Sequence, residues 1–311
     1  ASELKGRLRE EGFKDWERVW IGTFHSFGSY LLSCYGSDIG IQENFDIVEE
    51  DKALSILEDV KEEYSIDLTT TGFKKFIKRY KKKGQYPQWT DDRKFPNKKI
   101  KKGFLEYNNT LRKKNLLEFA DLITYSLKLL RKSKLARSAF TNFFRHIIID
   151  EFQDSDKQQL DLTLIFATSA IGSTIVGDKN QSIFGWRGSS PENLDKISKA
   201  LGAKEIIMNK NFRSNKVIIE AANEVINSNS SKKKNMKTTL NEKGELHKKG
   251  FQDPTYEAKW VTKKIIEMND THNINWENIA IISRMKYRLN KVLEKLDSKN
   301  LPWFNRDKIN F

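Results

Sequence analysis

Asp150 and Glu151 stand side by side directly after the run His146-Ile147-Ile148-Ile149. Three consecutive β-branched residues predict a short, buried parallel strand. Open α/β sheets place their ligands beyond the C-terminal ends of such strands. A carboxylate there can hold Mg²⁺, and a second beside it can polarise an attacking water, which are the two tasks phosphoryl transfer asks of acids. The same two residues also suit a strand that runs into a solvated acidic turn.

Other side chains could join that chemistry. Gln153 and Gln181 carry amides able to read a phosphate or a water. Phe184 and Trp186 lie in the Gly-flanked stretch Ile183-Phe184-Gly185-Trp186-Arg187-Gly188. Aromatic faces beside glycines suit stacking on unpaired bases, and Arg187 is able to pair with a phosphate or with the nearby acids.

Charge points the same way. The 311 residues carry a formal net charge of +14, which favours a polyanionic partner. Between Phe73 and Lys114 there are sixteen Lys/Arg against three acids, so nearly the whole excess lies in that window. Phe73, Phe76, Tyr80, Tyr86, Trp89, Phe95, Phe104 and Tyr107 are interleaved with these cations. Cations bind phosphates and aromatics stack on bases. The alternative is a small helical subdomain in which the aromatics form the core, and for any single aromatic that is the stronger expectation. The lone cysteine, Cys34, excludes an intramolecular disulfide and fits a reducing cytoplasm. No apolar run approaches the length of a membrane span.

Periodicity sketches the elements that must position these groups. Helices are expected at 2–10, from 24 to Leu32, at 50–66, over Leu116–Leu130, and at 157–168, 191–201, 216–226, 256–268 and 286–298. Strands are expected at Val19–Thr23, Ile147–Ile149, Ser173–Val176, Glu205–Met208 and Ile279–Ser283, with another beginning near Pro302. Pro87 and Pro96 break the basic segment, and residues 227–250 read as a polar surface loop. Alternation of this kind predicts an α/β fold with a mostly parallel sheet and helices on both faces.

Four segments, in this order and spacing, resemble the UvrD/Rep/PcrA-type superfamily 1 DNA helicases. They are Thr23-Phe24-His25-Ser26-Phe27, Asp150-Glu151-Phe152-Gln153-Asp154-Ser155, the stretch from Val176 to Gly188, and Asn211-Phe212-Arg213-Ser214. Leu117-Glu118-Phe119-Ala120-Asp121-Leu122 also resembles a recurrent family segment. The resemblance implies a RecA-like parallel sheet with a helical insertion, plus part of a second RecA-like domain. The boundaries expected are 1–49 and 116–204 for the first domain, 50–115 for the basic insertion and 205–311 for the second.

On that resemblance Asp150 coordinates Mg²⁺ and Glu151 activates water, with Gln153 and Gln181 at the phosphate. Arg213 reaches the γ-phosphate of ATP across a cleft between the motor domains, and Phe212 stacks on adenine. Phe24, His25, Ser26, Phe184, Trp186 and Arg187 contact DNA. Tyr is frequent in the family where Phe184 stands, and the change keeps the stacking face while losing a hydroxyl. The implied activity is ATP-driven 3′ to 5′ movement on single-stranded DNA, with unwinding at single-strand/duplex junctions.

No G-x-x-x-x-G-K-[ST] loop occurs in the chain, although the motor needs its Lys and Ser/Thr. Gly172–Gly177 has the glycine spacing, but Asp178 follows in place of Lys. The chain therefore reads as an internal fragment of a helicase that hydrolyses little ATP by itself. Two other readings stay open: a nucleic-acid-binding module without fuel, and the motor part of a helicase–nuclease.

Overall fold

The computed structural model describes residues 2–228, 235–241 and 244–304, and only the backbone of Ser2, Glu3 and Arg187. The chain divides into two compact units, Ala1–Ile207 and Met208–Phe311. It is a mixed α/β protein, mostly helical. Among the described residues the strands form three two-stranded parallel ladders, not one broad sheet covered on both faces.

The first unit begins with α1 (Ser2–Glu10) and α2 (Phe24–Tyr35). A capping box opens α2: Thr23 Oγ1 accepts the Ser26 N–H at 3.2 Å, and the Ser26 hydroxyl oxygen accepts the Thr23 N–H at 2.8 Å. Residues 19–23, expected as a strand, join no ladder among the described residues. A short apolar stretch becomes a strand only where a neighbour takes its hydrogen bonds.

Strand β1 (Asp46–Ile47) leads into the helices α3 (Glu50–Glu63), α4 (Thr70–Lys82) and α5 (Lys98–Lys113), and β2 (Leu116–Leu117) returns parallel to β1. The three helices enclose their own core of Ile56, Leu57, Val60, Phe73, Ile77, Phe104 and Tyr107. Of the eight aromatics in the basic window, Phe73, Tyr86, Phe95, Phe104 and Tyr107 are buried and Trp89 is 40% exposed. Each such burial contributes about 1.5–3 kcal/mol, which lets so cationic a segment hold together.

The expected helix over Leu116–Leu130 is split. Leu116 and Leu117 form β2 and face two different cores, as successive strand residues do. Helix α6 (Asp121–Lys132) starts only at Asp121, whose carboxylate accepts the Glu118 N–H at 2.9 Å. Gly28 of α2 lies against α6, where a Cβ would stand 3.0 Å from the Leu122 carbonyl oxygen. That close approach seats α2 and α6 around the main core, with Leu31, Leu32, Leu129 and Leu130.

Helix α7 (Lys134–Phe143) precedes β3 (His146–Ile149), which pairs in parallel with β4 (Gly172–Ile175) from His146↔Gly172 to Ile149↔Ile175. Helices α8 (Lys157–Ala167) and α9 (Asn193–Leu201) complete the unit. The expectation of a fully buried β3 is corrected. Ile147 and Ile149 pack inward, but Ile148 is 79% exposed because only one face of the ladder is covered. The glycine pair at 172 and 177 belongs to a strand and its end, not to a phosphate-cradling loop.

In the second unit β5 (Lys210–Asn211) pairs with β6 (Lys237–Thr238), beside α10 (Lys216–Ser228). Helices α11 (Pro254–His272) and α12 (Lys286–Asp297) share a core of Ala258, Ile265, Val292 and Leu296. The strand expected at Glu205–Met208 is irregular chain, and Ile206, Ile207 and Met208 are 78%, 71% and 81% exposed. Ile279–Ser283 also joins no ladder among the described residues. Residues 301–304 are irregular, and the rest of the strand expected near Pro302 lies outside the described residues.

Candidate functional site

Parallel pairing delivers the loops after β3 and β4 to the same end of the ladder. Val176 N–H donates to the Ile149 carbonyl at 2.8 Å, and Phe152 N–H to the Val176 carbonyl at 3.0 Å, so the two chains stay joined past the strands. Phe152 is buried against Leu160 and Ile197 and anchors the first loop. Glu151 takes a left-handed backbone conformation at φ 52°, uncommon for a residue with a side chain. The Asp150 Oδ1 accepts the Glu151 N–H at 2.9 Å.

The link between the loops is Gln153, only 1% exposed. Its Nε2 donates to Glu151 Oε2 at 2.5 Å, and its Oε1 accepts the Asp178 N–H at 3.0 Å. The Asp178 carboxylate in turn accepts from Gln181 Nε2 at 3.1 Å. A relay Glu151–Gln153–Asp178–Gln181 therefore joins three expected site residues through one the sequence reading left without a role. Gly177 makes the approach possible, because a Cβ there would stand 2.6 Å from Gln153 Oε1. Asp154 Oδ1 is buried without a partner among the described residues. Burial, and then the neighbouring Glu151, push that carboxyl above its ordinary pKa.

Among the described residues no group of three or more His, Cys, Asp or Glu could enclose a metal. The donor set nevertheless suits Mg²⁺ of the kind that arrives with phosphate, which needs one or two carboxylates and keeps several waters. Asp150 is exposed, and its Oδ2 makes no hydrogen bond among the described residues.

The other expected residues fall into separate groups. Trp186 is 76% exposed in a short turn and meets Phe184 edge to face at 6.4 Å between ring centroids. The Arg187 side chain lies outside the described atoms. His25 stacks on Phe119 at 4.0 Å with an 18° interplanar angle. Burial lowers its pKa, against a smaller opposing effect of Asp156. Phe24 packs into two cores and Ser26 caps α2, so both carry structural tasks. In the second unit Phe212 is 70% exposed and Arg213 is exposed. Their turn is held by Asn211 Oδ1, which accepts the N–H groups of Arg213 and Ser214 at 2.9 and 2.7 Å.

One polar cluster escaped the sequence reading. Lys81 is fully buried, its Nζ 2.7 Å from Glu118 Oε2 and 2.9 Å from Asp121 Oδ1. Tyr107 donates to Glu118 at 2.9 Å and Tyr86 to Asp121 at 2.5 Å. Burial alone would lower the lysine pKa, but Asp121 and Glu118 outweigh it and raise it. Burial likewise opposes ionisation of Glu118, yet Lys81 and Tyr107 hold its pKa below the ordinary value. The cluster ties α4 to the start of α6. The available clue was spacing, because Lys81 continues the buried stripe of Phe73 and Ile77.

Comparison with known proteins now defines the class. Residues 1–202 match the UvrD/REP helicase N-terminal domain and residues 206–311 the UvrD-like helicase C-terminal domain. The chain belongs to the UvrD/REP helicase family. It is 29% identical over 310 residues to the ATP-dependent DNA helicase PcrA of Staphylococcus aureus, covering 97% of this chain and 42% of that protein. It is also 29% identical over 314 residues to DNA helicase II of Haemophilus influenzae, covering 97% and 43%. The chain thus spans about two-fifths of the length of these curated relatives. Among the described residues no helix is long and apolar enough to cross a membrane.

Proposed function

We propose that the chain is the central part of an ATP-driven motor that moves 3′ to 5′ along single-stranded DNA and opens duplex at junctions. The observation that carries this reading is the Gln153 relay at the C-terminal ends of β3 and β4. It holds the Glu151 carboxylate and the Gln181 amide in one hydrogen-bonded unit at the strand ends where such sheets bind ligands. In this reading the two ladder strands belong to a RecA-like domain, and the second unit to another.

Asp150 would hold Mg²⁺, which when bound with nucleotide neutralises phosphate charge. Glu151 orients the attacking water and accepts its proton. Gln153 fixes the Glu151 carboxylate and couples it to the loop of Gln181, which senses the terminal phosphate. Arg213 supplies a guanidinium to charge developing on that phosphate. Phe212 offers a face to adenine, while Trp186 and Phe184 offer faces to unpaired bases, with His25 and Arg187 beside the DNA backbone.

The chain contains no G-x-x-x-x-G-K-[ST] sequence. Purified as 311 residues it is therefore expected to bind single-stranded DNA but to turn over Mg²⁺-ATP at background. In a longer chain that carries such a loop, Glu151→Gln should abolish DNA-stimulated hydrolysis while leaving nucleotide binding within a few-fold. Hydrolysis that survives Glu151→Gln in that chain would overturn the assignment. The missing loop also favours a second reading, a DNA-binding module without fuel, and restored hydrolysis in the longer chain separates the two.

A further inference from the structure

Lys81 spends all of its donors inside the protein. The side chain is fully buried, and its Nζ stands 2.7 Å from Glu118 Oε2, 2.9 Å from Asp121 Oδ1 and 3.0 Å from Asp121 Oδ2. An ammonium has three donors, so these contacts use it up. Tyr107 and Tyr86 lie beside it, their ring centroids 5.5 and 5.6 Å from Nζ. Packed apolar side chains would join α4 to α6 at a lower desolvation cost. What an ion cluster adds is direction, and here it is aimed at one short turn.

The acids that Lys81 binds are the two ends of the turn Glu118-Phe119-Ala120-Asp121. The turn is closed twice: Asp121 N–H donates to the Glu118 carbonyl at 2.8 Å, and Glu118 N–H to Asp121 Oδ2 at 2.9 Å. Tyr107 and Tyr86 donate to the same two carboxylates, at 2.9 and 2.5 Å. Phe119 stands at the apex. It is 58% exposed and lies on the half-buried His25 of α2, with ring centroids 4.0 Å apart. Where that ring lies follows from where Lys81 holds the two ends.

From this arrangement we infer that Lys81 is a positioning residue for nucleic-acid contact. From inside the protein it sets the Phe119 ring on His25, and so sets the face that the stacked pair offers to an unpaired base. Because Lys81 belongs to α4, the basic insertion fixes this contact without touching the strand. The inference rests on the DNA-motor reading. It gives one cation of the basic window a task other than binding phosphate.

The test is fluorescence anisotropy of a labelled oligothymidylate with the 311-residue chain, over a series of salt concentrations, for Lys81→Met, Phe119→Ala and the two together. Lys81→Met should weaken binding about tenfold at fixed salt, the scale of one lost stack. The slope of log K against log salt should not change, whereas one lost phosphate contact lowers it by about 0.7. Phe119→Ala should weaken binding as much. Adding Lys81→Met to it should weaken binding no further, because the two act through one ring. In the free protein the His25 Cε1 proton resonance should move when Lys81 is replaced, as the stacked ring shifts. Tyr107→Phe removes one hydrogen bond to Glu118 and covers the case in which Lys81→Met does not fold. It should weaken binding about threefold, on the scale of one hydrogen bond, and move the same resonance. Unchanged affinity in a folded variant, a stationary His25 resonance, a lowered salt slope, or additive losses in the double variant would each overturn the inference and leave the motor reading intact. No binding by the unaltered chain at low salt would overturn both.

Discussion

Replacing Lys81 by methionine keeps the aliphatic stem and removes the charge between Glu118 and Asp121. At the observed separations of 2.7 and 2.9 Å, each attraction is on the order of 6 kcal/mol at an effective dielectric of about 20. Desolvation of three buried ions offsets much of that. What remains on breaking such a cluster is about 3–5 kcal/mol, because two carboxylates are left without a cation. With a urea m-value of about 2 kcal/mol/M, the unfolding midpoint of the first unit should fall by roughly 1.5–2.5 M. Urea melts followed by circular dichroism, with hydrogen exchange localising the change to α4 and α6, measure it.

Acidity supplies the control on mechanism. In the unaltered chain the folded pKa of Glu118 is depressed. Its contribution is therefore present above the unfolded pKa and lost as pH falls through the folded one. In Lys81→Met burial acts on Glu118 without the cation that opposed it, so protonation relieves the variant. The gap between the two proteins should shrink on acidification from both sides. The further change Glu118→Gln/Asp121→Asn should recover most of the loss at neutral pH. A loss under 1 kcal/mol at neutral pH, or a gap that widens toward acid, would refute the reasoning.

Gly177→Ala should cost about 1–3 kcal/mol through overpacking against Gln153. It should lower the thermal midpoint by several degrees and shift the Gln153 side-chain amide resonances; an unchanged midpoint would contradict the close approach. His25 has a folded pKa below its unfolded value, so it contributes fully above the unfolded pKa and withdraws stability as pH falls from 7 toward 5. His25→Phe keeps the stack on Phe119 and should flatten that slope; an identical slope in both proteins would count against it.

The sequence made the family more legible than the architecture. His146–Ile149 reads as a strand because three β-branched residues suit little else, and β3 is there. Burial of Ile148 was not legible, since burial depends on what covers the second face. Val19–Thr23 and Glu205–Met208 have apolar content like that of β3, but no partner chain takes their hydrogen bonds among the described residues. Leu116–Leu130 has helical spacing, and its break comes from a long-range cause: Leu116 and Leu117 are taken into a parallel ladder with Asp46 and Ile47. The basic window declared its charge openly. Lys128, Arg131 and Lys132 of α6 were less visible, because the apolar stripe of that helix dominates its reading. Asp178 was similarly concealed, its importance lying in its N–H and its carboxylate rather than in any spacing. The four motifs carried the family because their residues recur together, independently of how well each element was drawn.

Glu151 adopts a backbone shape that glycine or asparagine would hold at less cost. Under the role proposed for Glu151, folding and chemistry therefore pull this position in opposite directions. A library of variants sorted only for heat resistance should drift toward glycine there, gaining robustness while discarding the carboxylate. The same library sorted for turnover in a fuel-competent chain should restore the acid and accept the strain.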